Sequence, residues 1–249
     1  MPASQQQQWQ RIAPTKIIHN SGGPRFATDD WPFLYVRNRV IPGLAIRSIA
    51  LLGLLGLGMV YMFVPRNRGG MKLDGRMFFL GAGFMLLETK AVVQLALLFG
   101  STWQVNSLVF FTALVLILLA NLMVLTAPPQ RLFWCYLGLL LLLGSAIAIP
   151  LEVFLNGGIF MRYVVPCVLA LGPMFFSGVI FARSFSDSPD PDMAFGSNIA
   201  GSVVGALGES FSTLLGFRYL LFMAAAFYLL SIRTSRAKPA VAPLLPRRA

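Results

Sequence analysis

The sequence predicts an all-α, polytopic integral membrane protein: a helix bundle of about seven transmembrane segments, one of them a candidate re-entrant segment. Three observations predict it. The 249 residues are 57% apolar and 12% charged, with a mean hydropathy of +0.72. That is more apolar surface than a soluble domain of this length can hide. Apolar runs of about twenty residues recur along the chain, long enough to cross a hydrocarbon core about 30 Å thick. Prolines, glycines and short basic loops separate those runs.

Residues 1–43 read as a polar, basic arm containing a QQQQ tract, NSGGP and TDDWPFLYVRNRVIP. Its Trp, Tyr and Arg residues near the first span suit an interfacial anchor. The Gln-rich start lacks the short apolar core of a cleavable signal peptide. The first span, 44–64, contains GLLGLG and stops at Pro65 and the basic loop RNRGGMKLDGR. No strand precedes these glycines and apolar residues surround them, so they read as close helix packing rather than a nucleotide loop.

The second span is 77–99, MFFLGAGFMLLETKAVVQLALLF, and the third is 105–126, stopped by Pro128 and Pro129. A fourth runs from Leu132 to about Leu155, with Pro150 as a kink or an early end. The fifth, 162–184, holds Pro166 and Pro173 and is expected to kink. SDSPDPD leads into a sixth, 193–215, with Asp192 as a candidate cap. Gly216 breaks it before a seventh, 217–232. The spans together make a membrane domain over 44–232, followed by a basic, Pro-rich tail over 233–249.

The net charge of +11 does not indicate nucleic-acid binding. The basic residues sit in the arm, the 65–76 loop and the tail, a distribution that suits anionic headgroups and loop orientation. Placing the tail inside also places the 65–76 loop, Arg131 and Arg183 inside. Seven crossings then put the basic arm outside, against the same rule, so either one segment is re-entrant or the rule is overridden. Cys135 and Cys167 lie within spans and read as small hydrophobes. His19 stands alone, and Glu152 reads as a helix-end residue. No metal-ligand spacing, nucleophile elbow or phosphate loop occurs. The sequence therefore predicts no catalytic residue, metal or cofactor.

The polar residues inside the spans carry the functional reading. Glu88 and Lys90 are two positions apart, about 200° around a helix, and cannot pair on their own span. Glu88 shares a face with Gly81, Phe84, Val92 and Leu95; Lys90 shares the other with Gly83, Leu86 and Gln94. Each charge costs about 2.5–3.5 kcal/mol at mid-membrane, and Lys90 is roughly 15 Å of helical rise from the span's end, too deep to snorkel. Both need partners, so the second span is expected to be surrounded by protein. In the sixth segment Gly201, Gly205 and Glu209 recur every four residues, with Thr213 continuing the row. This GxxxG face admits another backbone. The expectation is that Lys90 pairs with Glu209, while Glu88 is held neutral or hydrogen-bonded by Thr, Ser or Asn groups, with Asn106, Asn121, Ser197 and Asn198 as candidates.

Three stretches, ATDDWPFLYVR at 27–37, FFLGAGFMLLETKAVVQLALLFGSTWQVNSLVF at 78–110, and GSNIAGSVVGALGE with LLGFRYL across 196–220, resemble bacterial membrane-bound spermidine-synthase-like proteins, also described as fused transporter/spermidine synthases. In that family membrane spans accompany a Rossmann-like transferase domain. This chain shows no glycine-rich adenosyl-binding loop after a strand. The resemblance thus implies a membrane block without the catalytic half, in a bacterial cytoplasmic membrane. The expected role is a non-catalytic scaffold or accessory subunit. Its expected partners are membrane lipids, other membrane subunits or a second copy, and a separately encoded soluble domain. The alternative is a carrier of a small polar or cationic metabolite, or a proton-coupled one, lined by Glu88, Lys90, Gln94 and Glu209.

Overall fold

The computed structural model describes residues 41, 43–63, 66, 67, 70, 71, 73–149, 153, 158 and 160–235. The arm through residue 40, His19, Glu152 and the tail beyond residue 235 lie outside the described residues.

Helix α1 spans Gly43–Phe63. A two-residue antiparallel pairing of Arg66–Asn67 (β1) with Gly70–Met71 (β2) follows. Then come α2 (Gly75–Phe99), α3 (Trp103–Thr126) and α4 (Phe133–Ala148). A π-helical turn over Phe160–Val164 leads into α5 (Val165–Ser186). The chain continues with α6 (Pro191–Glu209), the single turn α7 (Ser212–Leu215) and α8 (Phe217–Ser235).

Local chemistry sets these ends. The Asp74 carboxylate accepts from the Arg76 and Met77 amides and starts α2. Gly100, at φ +97°, ends it in a conformation that L side chains rarely adopt. The Thr102 hydroxyl accepts from the Val105 amide at the start of α3. One expectation is corrected. Asp190, not Asp192, caps α6, accepting from the Met193 amide, because Pro191 takes the first helical position and places the cap one residue before it. In α5, Pro166 follows directly on the π-helical turn and Pro173 lies inside the helix.

The sixth segment also differs from its expected length. It stops at Glu209, and α7 with Gly216 at φ +94° turns the chain into α8. Thr213 therefore does not extend the Gly201–Gly205–Glu209 row; its hydroxyl donates to the Ser210 carbonyl in the turn. The fourth helix ends at Ala148, the early end expected at Pro150 rather than the kink.

Among the described residues the helices longer than a single turn, α1 to α6 and α8, alternate in direction. α6 runs parallel to α2, since Ser197, Asn198 and Glu209 meet Asp74, Met77 and Thr89 in that order. α8 runs antiparallel to α2, with Thr234 at Gly75, Tyr228 at Gly83 and Phe217 at Lys90. α1 opposes α6 through Gly53 on Leu207 and Gly56 on Val203. α4 opposes α5 through Gly138 on Phe176 and Leu142 on Gly172. α2 packs on α3, α5, α6 and α8, with Glu88, Thr89 and Lys90 half-buried and Leu97 exposed. α5 joins it at the centre, between α3 and α4.

α2, α3, α5 and α8 are long and apolar enough to cross a membrane. α3 displays exposed Leu108, Phe111, Leu114, Leu118 and Leu125, a face suited to lipid. α6 is rich in Gly, Ser and Ala, and it lies between α1 and α2. The chain is a multi-pass α-helical membrane protein. Arg76, Arg131, Arg183 and Arg233 all fall at one end of the bundle, where α2 begins and α3, α5 and α8 end.

Candidate functional site

The polar residues of the spans gather along the α2–α6 seam and around the far half of α2. The seam is built on glycine. A Cβ at Gly201 would strike the Phe78 carbonyl, one at Gly81 the Asn198 carbonyl, and one at Gly205 would come within 2.5 Å of the Ala82 carbonyl. Backbones this close bring polar side chains onto the opposite main chain. The Asn198 amide donates to the Met77 carbonyl at 3.1 Å. The Ser202 hydroxyl reaches the Gly81 carbonyl at 3.4 Å and the Asn198 carbonyl at 3.1 Å. The Ser197 hydroxyl accepts from the Asp74 amide at 2.8 Å.

Glu209 ends this row against α2, and its partner there is Thr89, whose hydroxyl donates to Oε2 at 3.2 Å. Lys90 lies on the next face, its Nζ 5.8 Å from the centroid of the Phe217 ring on α8, a cation–π approach. The expected Lys90–Glu209 ion pair does not form, although both residues lie on adjoining helices. The reason is angular: Thr89 and Lys90 differ by about 100° around α2, so Thr89 meets α6 and Lys90 meets α8. Among the described residues the ion pair present is Arg183–Asp187 at 3.3 Å, one turn apart at the end of α5.

Glu88 is half-buried, and among the described residues it makes no hydrogen bond or ion pair. None of its expected partners reaches it. Ser197 and Asn198 are held lower on the seam by the bonds above. Asn121 is exposed on α3, and the Asn106 side-chain oxygen is buried without a hydrogen-bond partner. Gln94 is buried on α2, one turn beyond Lys90. On the face that Gly83 shares with Lys90, the Tyr228 ring of α8 packs directly over the glycine.

That tyrosine belongs to a group the charge pattern did not reveal. Its hydroxyl bonds the Ser177 hydroxyl of α5 at 2.6 Å. The Ser231 hydroxyl of α8 donates to the Tyr228 carbonyl at 2.7 Å and shares a 2.9 Å bond with the Tyr136 hydroxyl of α4. Four helices thus meet at one buried polar knot, with Gly83 leaving room for the ring. The available signal was a tyrosine and a serine three apart in an apolar span.

Beside Glu209, a cleft of about 540 Å³ opens between α1 and the turn joining α6 to α8. Ile49 and Leu52 of α1 form one wall, Val203 and Leu207 of α6 another, and Glu209, Ser210 and Thr213 close one end. No group of three His, Cys, Asp or Glu side chains comes together among the described residues. No protein-family model matches the chain, and no curated protein or solved structure shows significant similarity to it.

Proposed function

We propose that this chain is a non-catalytic scaffold or accessory subunit of a bacterial cytoplasmic membrane, similar in kind to the membrane block of spermidine-synthase-like proteins. It packs with other membrane helices or a second copy, and it partners a separately encoded soluble domain. The observation that carries this reading is Glu88. A carboxylate within a span costs about 2.5–3.5 kcal/mol on insertion scales, and Glu88 has no partner among the described residues to offset that cost. A donor from another subunit supplies the missing bond. The seam supports the same reading, because Ser197, Asn198, Ser202 and Glu209 are all engaged in holding α6 on α2.

Copurification of the tagged chain from native membranes tests the proposal. A fixed set of partners is expected, and Glu88→Leu is expected to release the membrane partner while the chain's own melting temperature holds. Recovery of the chain alone from mild extraction, in wild type and variant alike, overturns it.

One feature favours the carrier reading instead. Glu209 borders both the α2 seam and the cleft, and Lys90 and Gln94 lie on α2 near the same level. Uptake into proteoliposomes by the chain alone, abolished by Glu88→Gln or Lys90→Met with the fold intact, would decide for transport.

A further inference from the structure

We infer that the cleft between α1 and the α6–α8 turn is a binding site for an aminophospholipid, with the primary ammonium of the headgroup on Glu209. Its volume of about 540 Å³ falls within the roughly 300–1,000 Å³ of small-molecule sites. The lining is divided by chemistry. Ile49, Leu52, Val203 and Leu207 present aliphatic walls, while Glu209, Ser210 and Thr213 gather at one end. An apolar slot ending in a carboxylate matches an amphiphile with a cationic head.

The geometry of Glu209 specifies the head further. Thr89 donates to Oε2, which leaves Oε1 without a hydrogen bond among the described residues. Lys90 is directed at the Phe217 ring and makes no ion pair with Glu209. A primary ammonium brings three donors and a full charge to that oxygen, and a quaternary head brings no donor. Phe217 lines the same cleft and adds an aromatic wall.

Position argues for a bilayer source. Leu51, Leu54 and Leu55 of α1 are exposed around the cleft wall, as on a lipid-facing helix. The α6–α8 turn reaches only the level of Lys90, with nine residues of α2, about 14 Å of rise, continuing past it. A headgroup that descends over the turn to this level meets Glu209, with its chain lying along the cleft beside the Gly53–Leu207 and Gly56–Val203 contacts.

The test is native mass spectrometry of the full chain in mild detergent with equal amounts of dioleoyl phosphatidylethanolamine and dioleoyl phosphatidylcholine, which differ only in the head. Wild type is expected to retain the ethanolamine lipid about tenfold over the choline lipid, the scale of one charge-assisted hydrogen bond. Glu209→Gln keeps an acceptor for Thr89 and is expected to bring the ratio near one without lowering the melting temperature. Val203→Trp fills the slot and is expected to remove both lipids while leaving Glu209 in place. Equal retention by wild type, or an unchanged ratio in Glu209→Gln, overturns the site. Dodecylamine is the second arm: if it binds through Glu209 while the ethanolamine lipid is not retained, the lipid assignment fails and a free amine takes its place.

Discussion

A side chain at Gly201 would have to occupy the space of the Phe78 carbonyl, so the tightest point of the bundle admits no β-carbon. Gly201→Val is expected to destabilise the chain by about 1–3 kcal/mol or more, the range for overpacking, read as a lower melting temperature in detergent. Gly144 of α4 has open space where its β-carbon would stand, and Gly144→Ala is expected to leave the melting temperature unchanged or raised. The tyrosine knot gives a second test at this scale. Tyr228→Phe and Ser177→Ala are each expected to cost about 0.6–1.7 kcal/mol, as interhelical hydrogen bonds in membranes do. Their double variant is expected to cost less than the sum, because both remove the same 2.6 Å bond.

Among the elements, α6 is the one whose stability rests on its ends and its glycines rather than on apolar bulk. Asp190 caps it, and Asp190→Ala is expected to cost about 1 kcal/mol, visible as faster amide exchange over the first turn of α6. Its packing face was legible in the sequence: Gly201 and Gly205 four apart meant close approach to another backbone, and they meet α2. The spans were legible for the same reason, since long apolar runs leave few alternatives in a bilayer. Which polar group met which was not. Thr89 hid between two charges, yet its angle on α2 brings it to Glu209, whereas Lys90 faces α8. Pairing depends on the rotation of two helices about their axes, and residue spacing along one helix does not determine its rotation against another. Local competition caused the misplaced cap, where Pro191 moved the helix start to Asp190.

For the whole molecule, the alternating directions of the described helices put the α2–α3 turn and the α3–α4 turn at opposite ends. Arg76, Arg131, Arg183 and Arg233 share the second of those ends, which the positive-inside rule assigns to the cytoplasm. In a background without Cys135 and Cys167, Gln130→Cys is expected to react with an impermeant thiol reagent only after the membrane is opened, and Ser101→Cys from outside. Both positions are exposed. Labelling of both from the same side would break the alternation.

The contact of α1 with the bundle has a consequence for biosynthesis. Helix α1 finds its seat on α6, a partner made much later, where Gly53 meets Leu207 and Gly56 meets Val203. A ribosome adding about 5–20 residues per second needs roughly 7–30 s to reach Val203 after Gly56. During that interval α1 sits in the bilayer with its eventual neighbour not yet translated, accompanied by lipid or by an insertion chaperone. The α1–α6 surface is then completed late, around whatever molecule already lies against α1.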